Sequence, residues 1–516
     1  MTARTLGPLA ALVLAAGPLA AGPLAAQAAE PAGPAADAAA AITPSDVARR
    51  VGILAHDSML GRDTPSRGLE LTAQYVADQF RRFGLRPGGE NGTWLQRYPI
   101  TRRRLELANS HVVLQMGGTS ATAPLDRAAR FVTGDVPREP VGGPVVLVGG
   151  PVTPEAVSRM KLRDRVVLYV HDYSKPIPGN AAQVARAIRL SKPKAIVAIS
   201  NVDSAAFAAR IPKAAPERFG MDLRVSSPPS VEVSEAVVAP VLRAARVNLA
   251  EVRRSAGPVV RELPGLTATV VLKETITDSL SAPNTIGIVE GSDPALRDEY
   301  LVFSAHMDHI GVTPGPRDSI NNGADDNASG TAGVIELAEA FSRPGARPKR
   351  SIIFLTVSGE EKGLWGSRYF SEHPTVPLGQ IVADLNLDML GRNWADTIVA
   401  IGKEHSDLGA TLERVNAAHP ELHMVAIDDR WPEERFYFRS DHYNFARKGV
   451  PALFFFNGVH EDYHRVTDSP DKIDSEKESR ILRLLYYLGQ EIGNAPQRPA
   501  WDPESYRLIV EEPAIP

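Results

Sequence analysis

From Asn284 onward the sequence alternates between short apolar runs and runs with helical spacing, and this alternation limits the possible folds more than any other feature. The apolar runs include "YLVFSAHMDH", "RSIIFLTVSGEE", "IVADLNLDML" and "VPALFFFNG", and segments such as "GTAGVIELAEAFS" lie between them. Strands that are apolar along their whole length indicate a sheet that is covered on both faces. The sequence therefore predicts an α/β fold with a mixed, mostly parallel sheet flanked by helices.

The segment between Asp126 and Val270 has a different pattern. Its short aliphatic runs "GPVVLVGG", "DRVVLYVHD" and "KAIVAIS" are bounded by Gly, Pro or Asp, and the helical run "NAAQVARAIRL" separates the last two. This is the pattern of a strand–helix–strand crossover. A chain of 516 residues also exceeds a single core. We therefore expect an inserted β/α domain at residues 126–275, within a discontinuous main domain formed by residues 45–125 and 280–494.

The two ends of the chain differ from the rest. Arg4 precedes the apolar, small-residue run "LGPLAALVLAAGPLAAGPLAA", and "AQA" offers a small-x-small cleavage site. These features predict a signal peptide at residues 1–28, and the glycines and prolines within the run argue against a membrane anchor. An Ala/Pro-rich linker at 29–44 and an irregular tail at 495–516 are expected. The predicted location is the periplasm or the extracellular space, and the Ala, Pro and Arg bias suggests a bacterial source.

Composition excludes several classes of function. The net charge of −4 gives no reason to expect nucleic acid as a partner, and no membrane association is expected after signal cleavage. The chain has no cysteine, which removes disulfides, thiol catalysis and thiolate metal ligands. Any metal site must therefore use imidazole and carboxylate groups.

Polar side chains capable of binding a metal follow the apolar strands. In open α/β sheets, ligands bind beyond the carboxyl ends of the strands. Each of these residues alone could be a solvated strand end or a helix cap, but several carboxylates at one edge would repel one another without a cation. Imidazole and oxygen ligands fit Zn, Mn or Co, and the two histidines argue against Mg or Ca. The candidates are His306, Asp308, Asp325, Asp326, Glu360, Glu361, Asp388, His460, Glu461, Asp462 and His464.

The ordered motifs "AHMDH", "NGADDNASG", "SGEEKGLWGS", "NLDMLGR" and "DYHRVTD" resemble those of the M28 family of dizinc metallopeptidases, which includes secreted bacterial aminopeptidases. The resemblance implies a zinc aminopeptidase-like α/β/α sandwich. The inserted segment resembles a protease-associated (PA) domain.

The resemblance also implies a role for each motif residue. His306 and Asp388 are expected to bind one Zn2+, Glu361 and His464 the other, and Asp325 to bridge both. Two Zn2+ per chain are expected, with Mn or Co as possible substitutes. A cis peptide is expected between Asp325 and Asp326, with Asp326 supporting the turn. The resemblance further implies Glu360 as the general base, Tyr463 as a stabiliser of the oxyanion and Asp308 as the residue that orients His306.

These roles predict an aminopeptidase that acts on peptide substrates. Three alternatives stay open: a single-zinc glutaminyl cyclase, a binding module of the transferrin-receptor type, and a carboxypeptidase or dipeptidase of the same family. The last needs a cationic pocket, for which Arg430, Arg435 and Arg439 are candidates unless they pair with nearby acids. The preferred side chain, the oligomeric state, the native metal and the role of the PA-like domain stay open.

Overall fold

The structure is a computed structural model that describes residues 38–176, 178–221, 227–315 and 318–512. The predicted signal peptide lies outside the described residues. The end of the predicted linker is packed, because Ala38, Ala39 and Ile42 are each 1% exposed and belong to the main apolar core.

Most predicted elements of the main domain are present with similar bounds. The strands are β1 (Arg86–Pro87), β2 (Leu95–Leu105), β3 (His111–Met116), β4 (Thr119–Pro124), β5 (Ala129–Thr133), β6 (Val141–Gly149), β7 (Val166–Val170), β8 (Ala195–Ser200), β9 (Glu217–Gly220), β10 (Ser230–Ser234), β11 (Val259–Val271), β12 (Glu274–Val289), β13 (Tyr300–His306), β14 (Ser351–Val357), β15 (Ile381–Leu387), β16 (Thr397–Ile401), β17 (Val425–Ile427) and β18 (Ala452–Phe455).

The helices lie mainly between these strands. They are α1 (Pro44–Leu54), α2 (Arg67–Arg82), α3 (Pro154–Ser158), α4 (Ala181–Leu190), α5 (Ser204–Ala209), α6 (Glu235–Ala244), α7 (Leu249–Arg254), α8 (Gly330–Ser342), α9 (Trp365–Glu372), α10 (Leu408–Ala418), α11 (His442–Ala446), α12 (Ser475–Asn494) and α13 (Pro503–Tyr506).

The first sheet carries the predicted α/β pattern. Its strand order is β17–β16–β18–β15–β13–β14–β12–β2–β9, with β1 paired to β12. The central strands β14, β13, β15 and β18 are mutually parallel, whereas β12 and β2 are antiparallel to their neighbours. The predicted mixed sheet flanked by helices is confirmed, and its parallel strands lie at the centre.

Strand β14 explains why the central strands are apolar along their whole length. Every residue of β14 is buried. Side chains alternate between the two faces of a strand, so Phe354 packs in the core with α8 and α12, and Ile353 packs in the core with α9 and α11. Each face buries its own set of apolar side chains, and this is the physical basis of the unbroken apolar runs.

A second sheet has the order β4–β3–β11–β6–β7–β8–β10–β5. Its strands β6, β7, β8 and β10 are parallel and contain the predicted crossover. Strands β3 and β4 pair within this sheet, although both precede residue 126. The sheets therefore divide the chain earlier than the predicted domain boundary, and the domain assignment stays a prediction.

The C-terminal segment is more regular than predicted. Helix α13 is followed by a further helical turn at Arg507–Glu511. Ile509 is 3% exposed and packs with the half-buried Trp501 in an aromatic cluster, which holds the segment against the first sheet. Within the described residues, no helix has the length and apolar character needed to cross a bilayer.

Candidate metal centre

The parallel strands bring the predicted residues to one edge of the first sheet. His306 ends β13, and Asp388 directly follows β15. Glu360 and Glu361 follow β14, and His464 lies in the connection after β18. The turn Ala324–Ser329, which precedes α8, adds two aspartates to the same edge. Parallel strands with the same orientation place their carboxyl ends together, so residues far apart in sequence meet here.

The first cluster centres on His306. Its Nε2 lies 3.4 Å from Asp326 Oδ1 and 3.3 Å from Asp388 Oδ1, and all three side chains are buried. On the other side of the ring, Nδ1 lies 3.1 Å from the backbone carbonyl of Asp308. A proton on Nδ1 would donate to this carbonyl and leave Nε2 free as a lone-pair donor to a cation.

The second cluster shares Asp326 with the first. His464 Nε2 lies 3.1 Å from Asp326 Oδ2 and 3.2 Å from Glu361 Oε2. His309 lies on the opposite side, with Nδ1 2.9 Å from Glu361 Oε1 and 3.7 Å from Asp326 Oδ2. The sequence prediction missed His309, although it ends the "AHMDH" motif. Both imidazoles can serve this cluster, and His309 is the more deeply buried of the two.

The structure corrects the predicted roles of Asp325 and Asp326. Asp326 has the oxygen atoms between the two clusters, whereas Asp325 Oδ1 accepts a hydrogen bond of 2.6 Å from the Gly391 N–H. Asp325 Oδ2 lies 3.3 Å from His460 Nε2, on the far side of the turn. The backbone of Asp326 (φ −106°, ψ 91°) is not helical, and it directs the side chain away from that of its neighbour. The cis peptide bond joins Asp326 and Asn327, one residue later than predicted.

Asp468 holds the backbone of this turn. Its carboxylate accepts the N–H groups of both Asp325 and Asp326 at 3.1 Å. The position of Asp326 between the two clusters is therefore fixed through the main chain, and its side chain is available to both clusters.

Asp308 also differs from its predicted role. Its carboxylate accepts hydrogen bonds from Thr64 Oγ1 at 3.0 Å and from the Glu360 N–H at 3.2 Å. Oδ1 of Asp308 lies 3.7 Å from His306 Nδ1, too far for a hydrogen bond. Asp308 thus orients His306 through its carbonyl oxygen and positions Glu360 through its carboxylate.

Burial and crowding of like charges dominate the electrostatics of the site. Burial raises the pKa of Asp326, and the nearby Glu361 carboxylate raises it further. Burial likewise raises the pKa of Glu360 well above its usual range, although His306 opposes this shift. For His464, burial lowers the pKa, but hydrogen bonds to Asp326 and Glu361 outweigh it and raise the pKa to about 10. A bound cation would relieve the repulsion among the carboxylates.

The residues fit a metal. Buried polar atoms that have no hydrogen-bond partner among the described residues converge on the two clusters, and such atoms are costly unless something satisfies them. One ligand atom from each of His306, Asp326 and Asp388 lies within 4.8 Å of the other two, and the same holds for His309, Asp326 and Glu361. The donor set of imidazoles and carboxylates suits Zn2+. Within the part of the chain that the structure describes, no hydrogen bond of good geometry is made by Asp388 Oδ1, Glu361 Oε1 or either ring nitrogen of His309, although His309 Nδ1 and Glu361 Oε1 lie 2.9 Å apart.

A pocket opens beside the first cluster. His306, Asp326, Glu360 and Asp388 lie on one side of it. The opposite wall is largely apolar and aromatic, and Tyr463 and Arg439 complete the lining. Of the other two predicted cationic residues, Arg430 lies over the Trp394 ring and Arg435 over the Phe438 ring, and neither lines this pocket. The apolar wall is formed by Met389, Phe436, Phe454, Phe456 and Val459.

A mixed sheet whose parallel central strands carry, at their carboxyl ends, two clusters of metal-ligand type that share one carboxylate is the arrangement of an α/β metallohydrolase. Residues 284–489 match the family model described as "Peptidase family M28". The segment that carries both clusters therefore matches peptidase family M28, in agreement with the resemblance of the motifs.

Relatives of known description agree with this assignment. Leupeptin-inactivating enzyme 1 of Streptomyces exfoliatus is 36% identical over 205 residues, which are 40% of this chain and 42% of that protein. A probable glutamate carboxypeptidase of Arthroderma benhamiae is 32% identical over 29% of this chain and 18% of its own length. The chain thus spans less than half the length of these curated relatives.

The fold also matches a solved structure over most of the chain. The aminopeptidase from Aneurinibacillus sp. strain AM-1 aligns with 91% of this chain and 98% of its own, with a TM-score of 0.50 and 19% sequence identity. At this identity the match bears on the fold alone.

Proposed function

We propose that the chain is an exported, zinc-dependent aminopeptidase that removes N-terminal residues from peptides, with two Zn2+ at the clusters and Glu360 as general base. In this proposal Asp326 bridges the ions, His306 and Asp388 complete one centre, and Glu361 and His464 complete the other. Export rests on the sequence of residues 1–28.

The observation that carries the proposal is the divergence of two adjacent glutamates. The Glu361 carboxylate lies within 3.2 Å of His309 and His464 nitrogens. The Glu360 carboxylate makes no hydrogen bond or ion pair with any described residue, and Glu360 lines the pocket. A free carboxylate beside a metal centre is what a general base requires, because it must be able to take a proton and then release it.

The chain's own groups would divide the chemistry as follows. Zinc ions at the clusters would supply Lewis acidity to the attacking water and the peptide carbonyl. Glu360 would accept the proton of that water and pass it to the leaving amine. Tyr463 would donate its hydroxyl proton in a hydrogen bond to the developing oxyanion. Burial and the nearby carboxylates raise the pKa of Tyr463, so the hydroxyl stays protonated at neutral pH.

The pocket favours a substrate with a free amine and an apolar first side chain. Three of its polar residues, Asp326, Glu360 and Asp388, are carboxylates that attract an ammonium group. The aromatic wall, including Phe436 and Phe456, suits an apolar side chain. These features support aminopeptidase activity over the other activities considered.

The substitution Glu360→Gln tests the base. We expect kcat to fall by about 100- to 10,000-fold, the usual contribution of a general base, while both zinc ions stay bound. The matched control is Glu361→Gln, next to it in the chain, which should lose zinc as well as activity. Zinc per chain is measured by mass spectrometry on the same samples used for kinetics. Turnover by Glu360→Gln within tenfold of the unaltered protein would remove Glu360 as the base.

Arg439 supports a second candidate, a carboxypeptidase. Its guanidinium lines the pocket and could bind a substrate carboxylate, but its Nη1 lies 3.3 Å from Glu434 Oε2. A panel of aminoacyl anilides and N-acetylated dipeptides, assayed with and without chelator, separates the two. The aminopeptidase should cleave the free-amine substrates and lose this activity with chelator. Cleavage of the N-blocked dipeptides alone would support the carboxypeptidase instead.

A further inference from the structure

Arg62 is a fully buried cation whose hydrogen bonds all go to backbone carbonyls. Its side chain is 1% exposed. Nε donates to Met307 O at 2.9 Å, and Nη2 donates to Gly323 O at 2.8 Å. Nη1 donates to both Leu54 O at 2.7 Å and Asn322 O at 2.6 Å. Within the described residues, none of its partners is a carboxylate. Burying a charge on these terms is costly unless the structure gains something from its geometry.

Three of the four carbonyls, those of Met307, Asn322 and Gly323, belong to segments that carry the metal-site residues, and the fourth ends helix α1. Met307 lies between His306 and Asp308 in the chain. The Gly323 carbonyl accepts a second hydrogen bond, of 3.1 Å, from the Ala328 N–H, which closes the turn that contains Asp326. One planar guanidinium therefore joins the chain of His306 to the chain of Asp326, with fixed angles between its donors.

The backbone around Arg62 is strained in a way that directs the side chain inward. Leu60, Gly61 and Arg62 have φ values of 50°, 62° and 53°, all in the left-handed region. A non-glycine residue there costs on the order of 1–2 kcal/mol. A Cβ added to Gly61 would lie 2.5 Å from the carbonyl oxygens of Asn321 and Gly311, so the turn is also pressed against the segment before Asp326. Such strain is kept where the surrounding structure over-determines it, and it is common at functional sites.

We propose that Arg62 is a positioning residue that sets the spacing of His306 and Asp326, and so preforms the shared metal site. This inference rests on the proposed zinc binding at the two clusters. Lysine keeps the positive charge but has a single ammonium in place of the planar fork, so it cannot hold four carbonyls in the same geometry. The substitution Arg62→Lys therefore changes geometry at constant charge.

The chain offers a matched control in Arg350. Arg350 is also 1% exposed, and it donates to the Ile492 carbonyl at 3.0 Å and the Ala495 carbonyl at 2.5 Å, and in addition to Glu299 Oε2 at 2.7 Å. It precedes β14, whose seven residues separate it from the site by about 20 Å. Arg350→Lys should therefore disturb the hydrogen bonds of an equally buried arginine without reaching the metal site.

The experiment measures zinc affinity of the full chain by competition with a chromophoric chelator, and the visible spectrum of the Co2+-substituted protein. Arg62→Lys should weaken zinc binding by about 10- to 100-fold, the usual effect of losing a residue that supports metal ligands, and should shift the Co2+ bands. Arg350→Lys should leave zinc affinity within threefold and the Co2+ spectrum unchanged, even if its melting temperature falls as much as that of Arg62→Lys.

A milder variant covers the case in which Arg62→Lys does not fold. Asn322 Nδ2 donates to Ala55 O at 2.8 Å and to Asp57 Oδ1 at 2.9 Å, which joins the segment before Arg62 to the segment before Asp326. Asn322→Ala should weaken zinc binding in the same direction, by a smaller factor. Wild-type zinc affinity and an unchanged Co2+ spectrum in the folded variants would overturn the role of Arg62 and leave the proposed function intact. Failure of the unaltered protein to bind zinc would overturn both.

Discussion

Exchanging Asp326 for asparagine, and Asp325 in a parallel variant, tests which aspartate lies between the two clusters. The two residues are adjacent, both are buried, and the substitution removes one charge with little change in shape. Asp326 oxygens lie 3.1 Å from His464 Nε2 and 3.4 Å from His306 Nε2, so Asp326→Asn removes charge from both clusters at once.

The expected magnitudes follow from these contacts. Loss of a residue that only supports a ligand costs about 10- to 100-fold in metal affinity, so loss of the shared ligand should cost at least about 100-fold, or about 2.7 kcal/mol. Asp325→Asn keeps an acceptor for the Gly391 N–H but loses the charge on it. We expect zinc affinity within threefold and a free energy of unfolding lower by about 1–2 kcal/mol.

Two assays on the same preparations separate these outcomes. Zinc stoichiometry and affinity are measured by chelator competition, and stability of the metal-free proteins by urea unfolding. Asp326→Asn should bind little zinc and unfold near the wild-type midpoint or above it, since burial and crowding raise the pKa of Asp326 in the metal-free state. Retention of both zinc ions by Asp326→Asn, together with their loss in Asp325→Asn, would refute the assignment.

Two further predictions concern stability. Burial lowers the pKa of His442 from 6.5 to about 3. Below pH 6.5 the unfolded state therefore binds a proton that the folded state does not, and the protein becomes less stable as the pH falls. Urea unfolding at pH 7.5 and 5.5 should show a loss of about 1.4 kcal/mol that disappears in His442→Phe, and an equal loss in both proteins would contradict it. Phe354 is 0% exposed, and its ring stacks on that of Phe303 with 5.8 Å between the centroids. Phe354→Ala should lower the free energy of unfolding by about 3–5 kcal/mol, whereas Phe219→Ala, at an exposed position, should lower it by under about 0.5 kcal/mol. Similar losses in the two variants would count against the core assignment.

The sequence predicted the regular elements of the main domain well because their periodicity is strong. The runs "GTAGVIELAEAFS" and "SEKESRILRLLYYLGQEIGN" coincide with helices Gly330–Ser342 and Ser475–Asn494. Strands β16 and β17 were not predicted. They have only five and three residues, and their pairing depends on neighbours that are distant in the chain. A local pattern contains no information about such partners.

The site shows a similar division. Strand ends that carry His306, Glu361 and Asp388 could be placed at one edge because parallel strands end together. Which of Asp325 and Asp326 lies between the clusters could not be predicted, because adjacent side chains in a turn point in directions set by backbone angles and not by residue type. Asp325 and Asp326 are the same residue type and differ in their contacts, such as that of Asp325 with Gly391 and that of Asp326 with His306. Metal binding by these residues is still a proposal.

The wide separation of the site residues in the chain bears on how the domain folds. His306 ends strand β13, and His464 follows strand β18, so most of the α/β segment lies between them in the chain. Both strands pair with β15, which is far from each of them in sequence. A zinc ion therefore has no local nucleus to organise, in contrast to small domains whose ligands are close in sequence and whose folding requires the metal. Zinc would stabilise the finished domain by mass action and slow its unfolding, while the chain would reach its native topology without the metal.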